Sequence, residues 1–445
     1  MRLSKVIDKI KFGNFILSIS YGNYRQSFGG TDKVILSHQS MLNEAGISCL
    51  YIFPVAKTLR VNQIKVFRCW GLIIDGSYMG IFDTTDIINL IIKASYKKQF
   101  KDIFVHHFLG IDIGQLERIL DLSDVPINVY IHDYYMICTQ LNLMKNDESY
   151  CGKDRISDKK CINCTYYDES KTHVKQVEDF FEKYNDRITV VAPSESAKVI
   201  WSSTYPLYKD HVKVLNHQTF IGEYEGNCKS IGIDDKVKIA FVGAQAKKKG
   251  WQQWENVVST INKNSKGNKE FYHFGKTNDV LEYIIKIPVS FQKDGINAMV
   301  TALRKNNIDC VILWSLCPET YSYTYYESTA ANSFIITNQF SGNIADAVKE
   351  RHNGIVLKNM EELRELLENE DRLKSLINTY REQKKWGPSE IIENRELLKN
   401  ISLENGRLRS EQLNERLSIF RKMVKFILGI VYKFYMKIYA NRRLK

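Results

Sequence analysis

Between Asp309 and Asn338 the chain reads DCVILWSLCPETYSYTYYESTAANSFIITN, two short apolar runs separated by a stretch of helix length. The runs Cys310 to Trp314 and Phe334 to Thr337 lack polar alternation and are short, so each is expected to be a strand buried on both faces. Pro318 stops the first run, Thr320 and Ser322 are capping types, and small residues from Ser328 to Ser333 let a helix lie close to a sheet. A strand, loop, helix, strand unit of this kind belongs to a parallel α/β sheet. A ligand is expected at the carboxyl end of the first strand, where the helix begins.

Two acids flank that helix start, Glu319 in the loop and Glu327 about two turns along, with seven residues between them. Backbone amides near Ser322, Tyr323 and Thr324 head the first turn, where the helix dipole adds partial positive charge. A diphosphate fits such a place, with Glu327 accepting from ribose hydroxyls and Glu319 reaching a hexose beyond the phosphates.

The order Pro318, Glu319, Tyr321, Ser322, Tyr323, Glu327, Ala330, Ala331 before an apolar strand resembles the Glu, seven residues, Glu signature of family 4 glycosyltransferases. That resemblance implies a retaining enzyme with the GT-B fold, in which two Rossmann-like doubly wound domains face each other across a cleft. Ser322 stands where the family usually carries Gly. Further segments extend the resemblance over most of residues 15 to 360.

The chain has 445 residues, 44% of them hydrophobic and 26% charged, enough for two domains with ample core. Its formal charge of +12 points to an anionic partner, for which nucleic acid, an anionic membrane surface and a nucleotide sugar all qualify. The apolar run Phe15 to Ile19 is too short for a signal sequence and reads as a first strand, so the chain is expected to stay in the cytoplasm. Nine cysteines, an odd count, then read as thiols or metal ligands in place of a disulfide framework.

After the first strand, Gly29 and Gly30 before Thr31 and Asp32 read as a turn and cap opening an amphipathic helix. The resemblance makes this the glycine loop that faces the donor phosphate, with Gly30 the expected contact. DIFVHHFLGIDIG and VPINVYIHDYYMIC place His106, His107, His132 and Asp133 at strand ends, where side chains reach a cleft. By resemblance His132 lies beside the donor sugar, while Asp133 orients its loop. Cys138, Cys151, Cys161 and Cys164 follow at intervals of twelve, nine and two residues. The CINC pair suits a tetrahedral metal, so the four are expected to form a structural zinc clip with no open catalytic position.

Pro193, Ser194 and Glu195 open a helix, with Ser194 its cap, and a polar, glycine-containing linker is expected near Val214 to Asp235. The next strand opens KIAFVGAQAKKKGW. Here Gly243, Lys249 and Gly250 match the family's glycine and lysine positions, but Ala244 replaces its Arg. Lys249 becomes the expected diphosphate cation, with Lys247 or Lys248 as weaker substitutes for the missing bidentate donor. FYHFGK, ending in Gly275 and Lys276, reads as the next strand and turn, which the resemblance implies approaches the nucleotide base.

From Leu417 to Tyr439 the pattern is helical, and Lys422, Lys425, Lys433 and Lys437 fall within a face about 120° wide. Lysines so placed disfavour a bilayer span and favour an interfacial helix, with Phe426, Ile427, Ile430, Phe434 and Ile438 toward the acyl chains.

The reading is thus an α/β chain with an acceptor-side domain at 1–215 carrying a cysteine insertion at 138–164, a donor-binding domain at 216–400, and a basic amphipathic tail at 401–445. Expected activity is retaining hexosyl transfer from a nucleoside diphosphate sugar to a glycan or lipid-linked glycan, in bacterial surface polysaccharide assembly. His132, Glu319 and Lys249 are its expected catalytic residues. Gly30, Gly243, Lys249, Ser322, Tyr323, Thr324 and Glu327 are the expected donor contacts. No catalytic metal and no nucleic acid are expected, and the protein is expected to sit peripherally on the inner face of the cell membrane. A sugar-nucleotide epimerase and a basic zinc-bearing nucleic-acid binder are the alternatives.

Overall fold

The computed structural model describes residues 3–443 except 27–28, 56–68, 226–228, 265–267, 277–280, 291–293, 385, 389, 403, 405 and 410–418. Its two large sheets each carry helices on both faces, the two Rossmann-like domains that the alternating apolar runs call for.

The first sheet has eight strands, in the order Val212–Val214, Ile188–Ala192, Ile127–Tyr130, Gln99–Val105, Asn14–Ile19, Ile47–Pro54, Trp70–Ile74 and Ser77–Phe82. All pairings are parallel except those of the last two strands, which form an antiparallel hairpin. Asp75 and Gly76, both with positive φ, make its tight turn, a backbone whose twist matches the flanking strands. Phe15, Leu17 and Ile19 face one core, while Ile16 faces the other, which explains why this central strand is apolar without alternation. Strand order reverses between Asn14–Ile19 and Gln99–Val105, so the crevice of this domain opens where Ser20 and His106 leave those strands.

The second sheet is parallel throughout, in the order Ile284–Ile287, Lys269–Phe274, Val237–Val242, Cys310–Leu313, Phe334–Asn338 and Gly354–Leu357. Numbered within the domain this is 3-2-1-4-5-6, the dinucleotide-fold order, with its switch point between Val237–Val242 and Cys310–Leu313. Those strands lead into the Gly243 loop and the Ser315 loop. One face buries Phe241, Trp254 and Ile312, the other Ala240, Val311 and Tyr325.

Two segments cross between the domains. Gln218–Ile221 pairs antiparallel with Glu390–Glu393, after which Leu397 packs among Ile16, Phe104 and Tyr130 of the first domain. The C-terminal helix, Ile419–Arg443, also docks on the first domain. Tyr432 is fully buried against Phe53 and Tyr78, and Val424 and Leu428 cover Cys69. Leu417, the expected start of this helix, lies outside the described residues.

Lys425 corrects the expectation that all four tail lysines point outward. It ion-pairs with Asp83, at 3.0 Å, and Asp86, the two acids that cap the helix Thr84–Ser95. Acids at a helix N-terminus are favoured by its dipole and then attract a cation, which turns this lysine inward. Met423, Phe426, Ile427, Ile430, Val431, Phe434 and Ile438 form the exposed face. Among the described residues no helix is long and apolar enough to cross a membrane.

Candidate active site

The site forms where the crevices of the two sheets meet. On the C-terminal side, Val242 leads into Gly243 and a short 3-10 turn, Lys247–Lys249, that ends at Gly250. Gly250 has φ +76, and a Cβ there would stand 2.1 Å from the Trp314 carbonyl oxygen, so only glycine lets this turn lie against the neighbouring strand. The close approach delivers Lys249 to the Ser315 loop. Its Nζ lies 2.7 Å from Glu319 Oε1, and Ser315 Oγ donates to the same oxygen at 2.9 Å. Burial pushes the Glu319 carboxyl up, but Lys249 and Ser315 outweigh it and hold it below the ordinary carboxylate range.

The Glu319 backbone is pinned as firmly as its side chain. Glu319 N donates to Ser341 O at 3.2 Å and Asn343 N to Glu319 O at 2.9 Å. Ser322 caps the helix Tyr323–Ala330, its Oγ accepting from Tyr325 N and lying 3.0 Å from Thr324 Oγ1. The expected role of the Ser322 amide needs correction, because it donates to Asn343 Oδ1 at 3.3 Å and is already partnered. Tyr323 and Thr324 remain at the head of the helix, and Thr324 Cγ2 sits against Gly243.

About one turn on, Glu327 is buried and lines a cavity of about 190 Å³ with Lys33, Ser37, Gln218, Tyr323 and Glu393. Burial raises its pKa, and the charge of Lys33 offsets this only in part. A carboxylate held in a largely buried cavity is a strong acceptor for paired hydroxyls. The first domain closes the cavity with the helix Gly30–Glu44: a Cβ on Gly30 would lie 3.8 Å from the Tyr323 ring, and Lys33 Nζ stands 4.8 Å over that ring.

The N-terminal side of the site is built of imidazoles. His106 and His107 end the strand Gln99–Val105, and His132 and Asp133 follow Ile127–Tyr130; these strands are neighbours in the sheet, which brings the two pairs together. His106 Nδ1 lies 2.9 Å from His132 Nε2. His107 Nδ1 accepts from Leu109 N at 2.9 Å, so its Nε2–H donates to Asp133 Oδ2, also at 2.9 Å. Burial works against the Asp133 carboxylate, but His107 and the Tyr135 amide hold it below the ordinary range, as suits a loop-orienting acid. Burial, then His106 and His217, push the His132 pKa well below 6.5, so its ring is neutral.

Polar links join the two sides. Thr320 Oγ1 donates to the His132 carbonyl at 2.7 Å, and Ser194, the cap of its own helix as expected, donates from Oγ to Thr320 O at 2.8 Å. Lys248 reaches Asn142 Oδ1 at 3.1 Å, so this substitute for the missing Arg is engaged across the site, while Lys247 is exposed. His217 stacks on His132 with centroids 5.7 Å apart and packs on Tyr321 at 4.7 Å. Sequence reasoning left His217 inside the linker and did not single out Lys33 or Ser315, because nothing local marks them.

The four insertion cysteines are free thiols sharing one neighbourhood, Cys161 and Cys164 both acting electrostatically on Cys138. The Cys138 thiol meets Ser170 Oγ at 3.4 Å and that of Cys151 donates to Leu143 O at 3.1 Å. Among the described residues no three His, Cys, Asp or Glu side chains are placed to hold a metal.

No family model matches the chain. Among curated proteins it is similar to FMN-dependent NADH:quinone oxidoreductase 1 of Mesoplasma florum, 31% identical over 131 residues, which are 29% of this chain and 60% of that protein. The match therefore spans less than two thirds of that relative. Among solved structures it is similar to Alr3699/HepE of Anabaena in complex with UDP-glucose, with a TM-score of 0.48 and 11% identity over 83% of this chain and 94% of that one. The lipopolysaccharide outer core galactosyltransferase WaaB is similar with a TM-score of 0.49 and 12% identity, over 83% of this chain and 95% of that one. TarM gives 0.48 and 8%, over 84% and 94%.

Proposed function

We propose that this protein is a retaining glycosyltransferase that moves a hexose from a nucleoside diphosphate sugar to a hydroxyl of a glycan or lipid-linked glycan, in bacterial surface polysaccharide assembly. The observation that carries the reading is the Lys249–Glu319 pair at the switch point of a 3-2-1-4-5-6 sheet, beside a helix N-terminus and opposite Gly30. Lys249 and the amides of the first helical turn neutralise the diphosphate as it leaves. Glu327 takes the ribose hydroxyls and Glu319 a hexose hydroxyl, while neutral His132 donates to the sugar from the other side. The acceptor oxygen bonds to the anomeric carbon on the face from which the phosphate oxygen departs, and that phosphate takes the acceptor proton. These groups carry every step, so the proposal calls for no catalytic metal.

Peripheral attachment to the inner membrane face belongs to the same proposal. The exposed row of Phe426, Ile427, Ile430, Phe434 and Ile438 has Lys422, Lys433 and Lys437, all exposed, along one edge, which suits anionic headgroups above acyl chains. A structural zinc held by Cys138, Cys151, Cys161 and Cys164 also belongs to the proposal; its support is the two-residue spacing of Cys161 and Cys164, and binding would have to draw the four thiols together.

The test is incubation with a panel of nucleotide sugars, following nucleoside diphosphate release, with retention of RNA measured in parallel. Release with one sugar, abolished in Glu327→Ala, is expected; RNA binding without response to any sugar would overturn the reading. Flotation with anionic vesicles should be lost in Phe426→Ser/Phe434→Ser, and metal analysis of reduced protein should find about one zinc per chain.

A further inference from the structure

Four histidines from four separate segments run in a column through the first domain to the cleft. His38, on the helix Gly30–Glu44, lies 5.3 Å from His106 between ring centroids. His106 stacks on His132 at 5.2 Å and 21°, and His132 on His217 at 5.7 Å and 28°. On its sheet side His106 stacks on Tyr130 at 4.6 Å and 15°. Within this column the 2.9 Å contact between His106 Nδ1 and His132 Nε2 is short enough to be a hydrogen bond, and it holds a single proton, because both rings are neutral.

The environment of His106 decides which ring owns that proton. Its other nitrogen, Nε2, is buried and meets no partner, and the residue is only 1% exposed. A proton there would be a buried N–H with nothing to accept it, the rarest kind of orphan in a folded chain. With the proton on Nδ1 the same site holds only a lone pair, and the N–H is satisfied by His132. His132 then accepts through Nε2 and carries its own proton on Nδ1. Its ring, unlike that of His106, is only half-buried. The adjacent residue shows that the fold specifies tautomers one by one: His107 has the reverse arrangement, Nδ1 accepting from Leu109 N and Nε2–H donating to Asp133.

We infer that His106 is a positioning residue, which by donating from Nδ1 fixes the ring plane and tautomer of His132 so that His132 presents a permanent Nδ1–H donor to an oxygen of the ligand in the cleft. The role rests on the reading of His132 as a contact of the donor sugar. Tyr130 and His217, stacked at the two ends of the pair, restrain the rings from tilting. A hydroxyl or ring oxygen of a sugar meets a donor already aimed, in place of an imidazole that must first choose its proton.

The experiment is ¹⁵N NMR of histidine-labelled full chain, run beside steady-state kinetics on wild type, His106→Asn and His106→Phe, with thermal unfolding to confirm folding. The asparagine amide overlays Nδ1–H and keeps the donor; phenylalanine keeps the stack and loses it. Wild type and His106→Asn should show His132 protonated on Nδ1 alone, with similar turnover. His106→Phe should show a mixture of tautomers and a kcat lower by about tenfold, the worth of one hydrogen bond, with donor KM little changed. Protonation of His132 on Nε2 in wild type would overturn the inference, as would unchanged tautomer and kcat in His106→Phe. If no nucleotide sugar is turned over, the spectra still decide the tautomer, so failure of the enzymatic reading and failure of this inference are told apart. Should His106→Phe not fold, the wild-type spectrum and His106→Asn carry the same decision.

Discussion

The two edges of the cleft solve opposite problems. The C-terminal edge is ionic: Lys249 against Glu319, Lys248 reaching across, and Glu327 buried, its charge offset in part by Lys33 of the first domain. The N-terminal edge is built of neutral rings: burial drives His132, His106 and His217 to lose their charge, and the partly exposed Asp133 is tied to His107. On the proposed function, the ionic edge would meet the diphosphate and the neutral imidazoles would meet the sugar hydroxyls. The close ion pair Lys249–Glu319 belongs to the C-terminal edge, whereas the cation that the first domain brings to the cleft, Lys33, stands over Tyr323 beside the Glu327 cavity.

The comparison breaks most visibly at Lys249 and Glu319. Lys249→Ala should lower kcat/KM for the donor by about 10–100-fold through both kcat and KM, since a hydrogen bond to a charged group is worth roughly 1.5–3 kcal/mol. Glu319→Ala should lower kcat by a similar factor with donor KM little changed. If His132→Ala instead raised donor KM as Lys249→Ala does, the division between ionic and neutral edges would be wrong.

Glu327→Gln should have the next largest effect, weakening donor binding by about tenfold while raising Tm at neutral pH. The sign follows from burial, which lifts the folded-state pKa above the ordinary 4.5. The folded state then binds the proton more tightly than the unfolded one, so stability falls as pH rises from 4.5 through the raised pKa. Glutamine removes that loss. The same titration should make wild-type donor affinity decline as pH drops through the raised value, and the variant should show neither dependence. Equal Tm in wild type and variant at pH 7 would mean that Glu327 has a charged partner.

The smallest expected effect sharpens the neutral edge. Tyr432 of the C-terminal helix accepts from Asn23 Nδ2 at 3.1 Å and donates to Gln26 Oε1 at 3.2 Å, both in the loop that leads to Gly30. Tyr432→Phe should cost about 1 kcal/mol, read as a Tm lower by roughly 2–4 °C, with donor KM raised only slightly. A drop in kcat as large as that of Glu319→Ala would place the tail in the chemistry instead of in support of the loop.

Much of this was legible because it is local. Apolar runs without alternation marked Cys310 to Trp314 and Phe334 to Thr337 as buried strands, and Ser194 and Ser322 marked helix starts, while Gly243 and Gly250 were picked out by resemblance. Each rests on forces acting within a few residues: steric limits on φ, unpaired amides, and the two faces of a sheet. The Lys249–Glu319 pair was half legible. Both residues stood out, but their contact needs Gly250 to press against Trp314.

What tertiary structure alone decided lies in pairings between distant segments. His106 meets His132 because their strands are neighbours in the sheet, and His217 joins them because the linker strand Gln218–Ile221 starts beside the cleft. The tail illustrates the limit most plainly. Its sequence determined an amphipathic helix, since 3.6-residue periodicity is a property of the segment itself. Which lysine turns inward was decided by Asp83 and Asp86, and which aromatic ring is buried by Phe53 and Tyr78, hundreds of residues away. Backbone geometry is set by near neighbours in the chain, whereas burial and charge pairing are set by whatever the fold brings near.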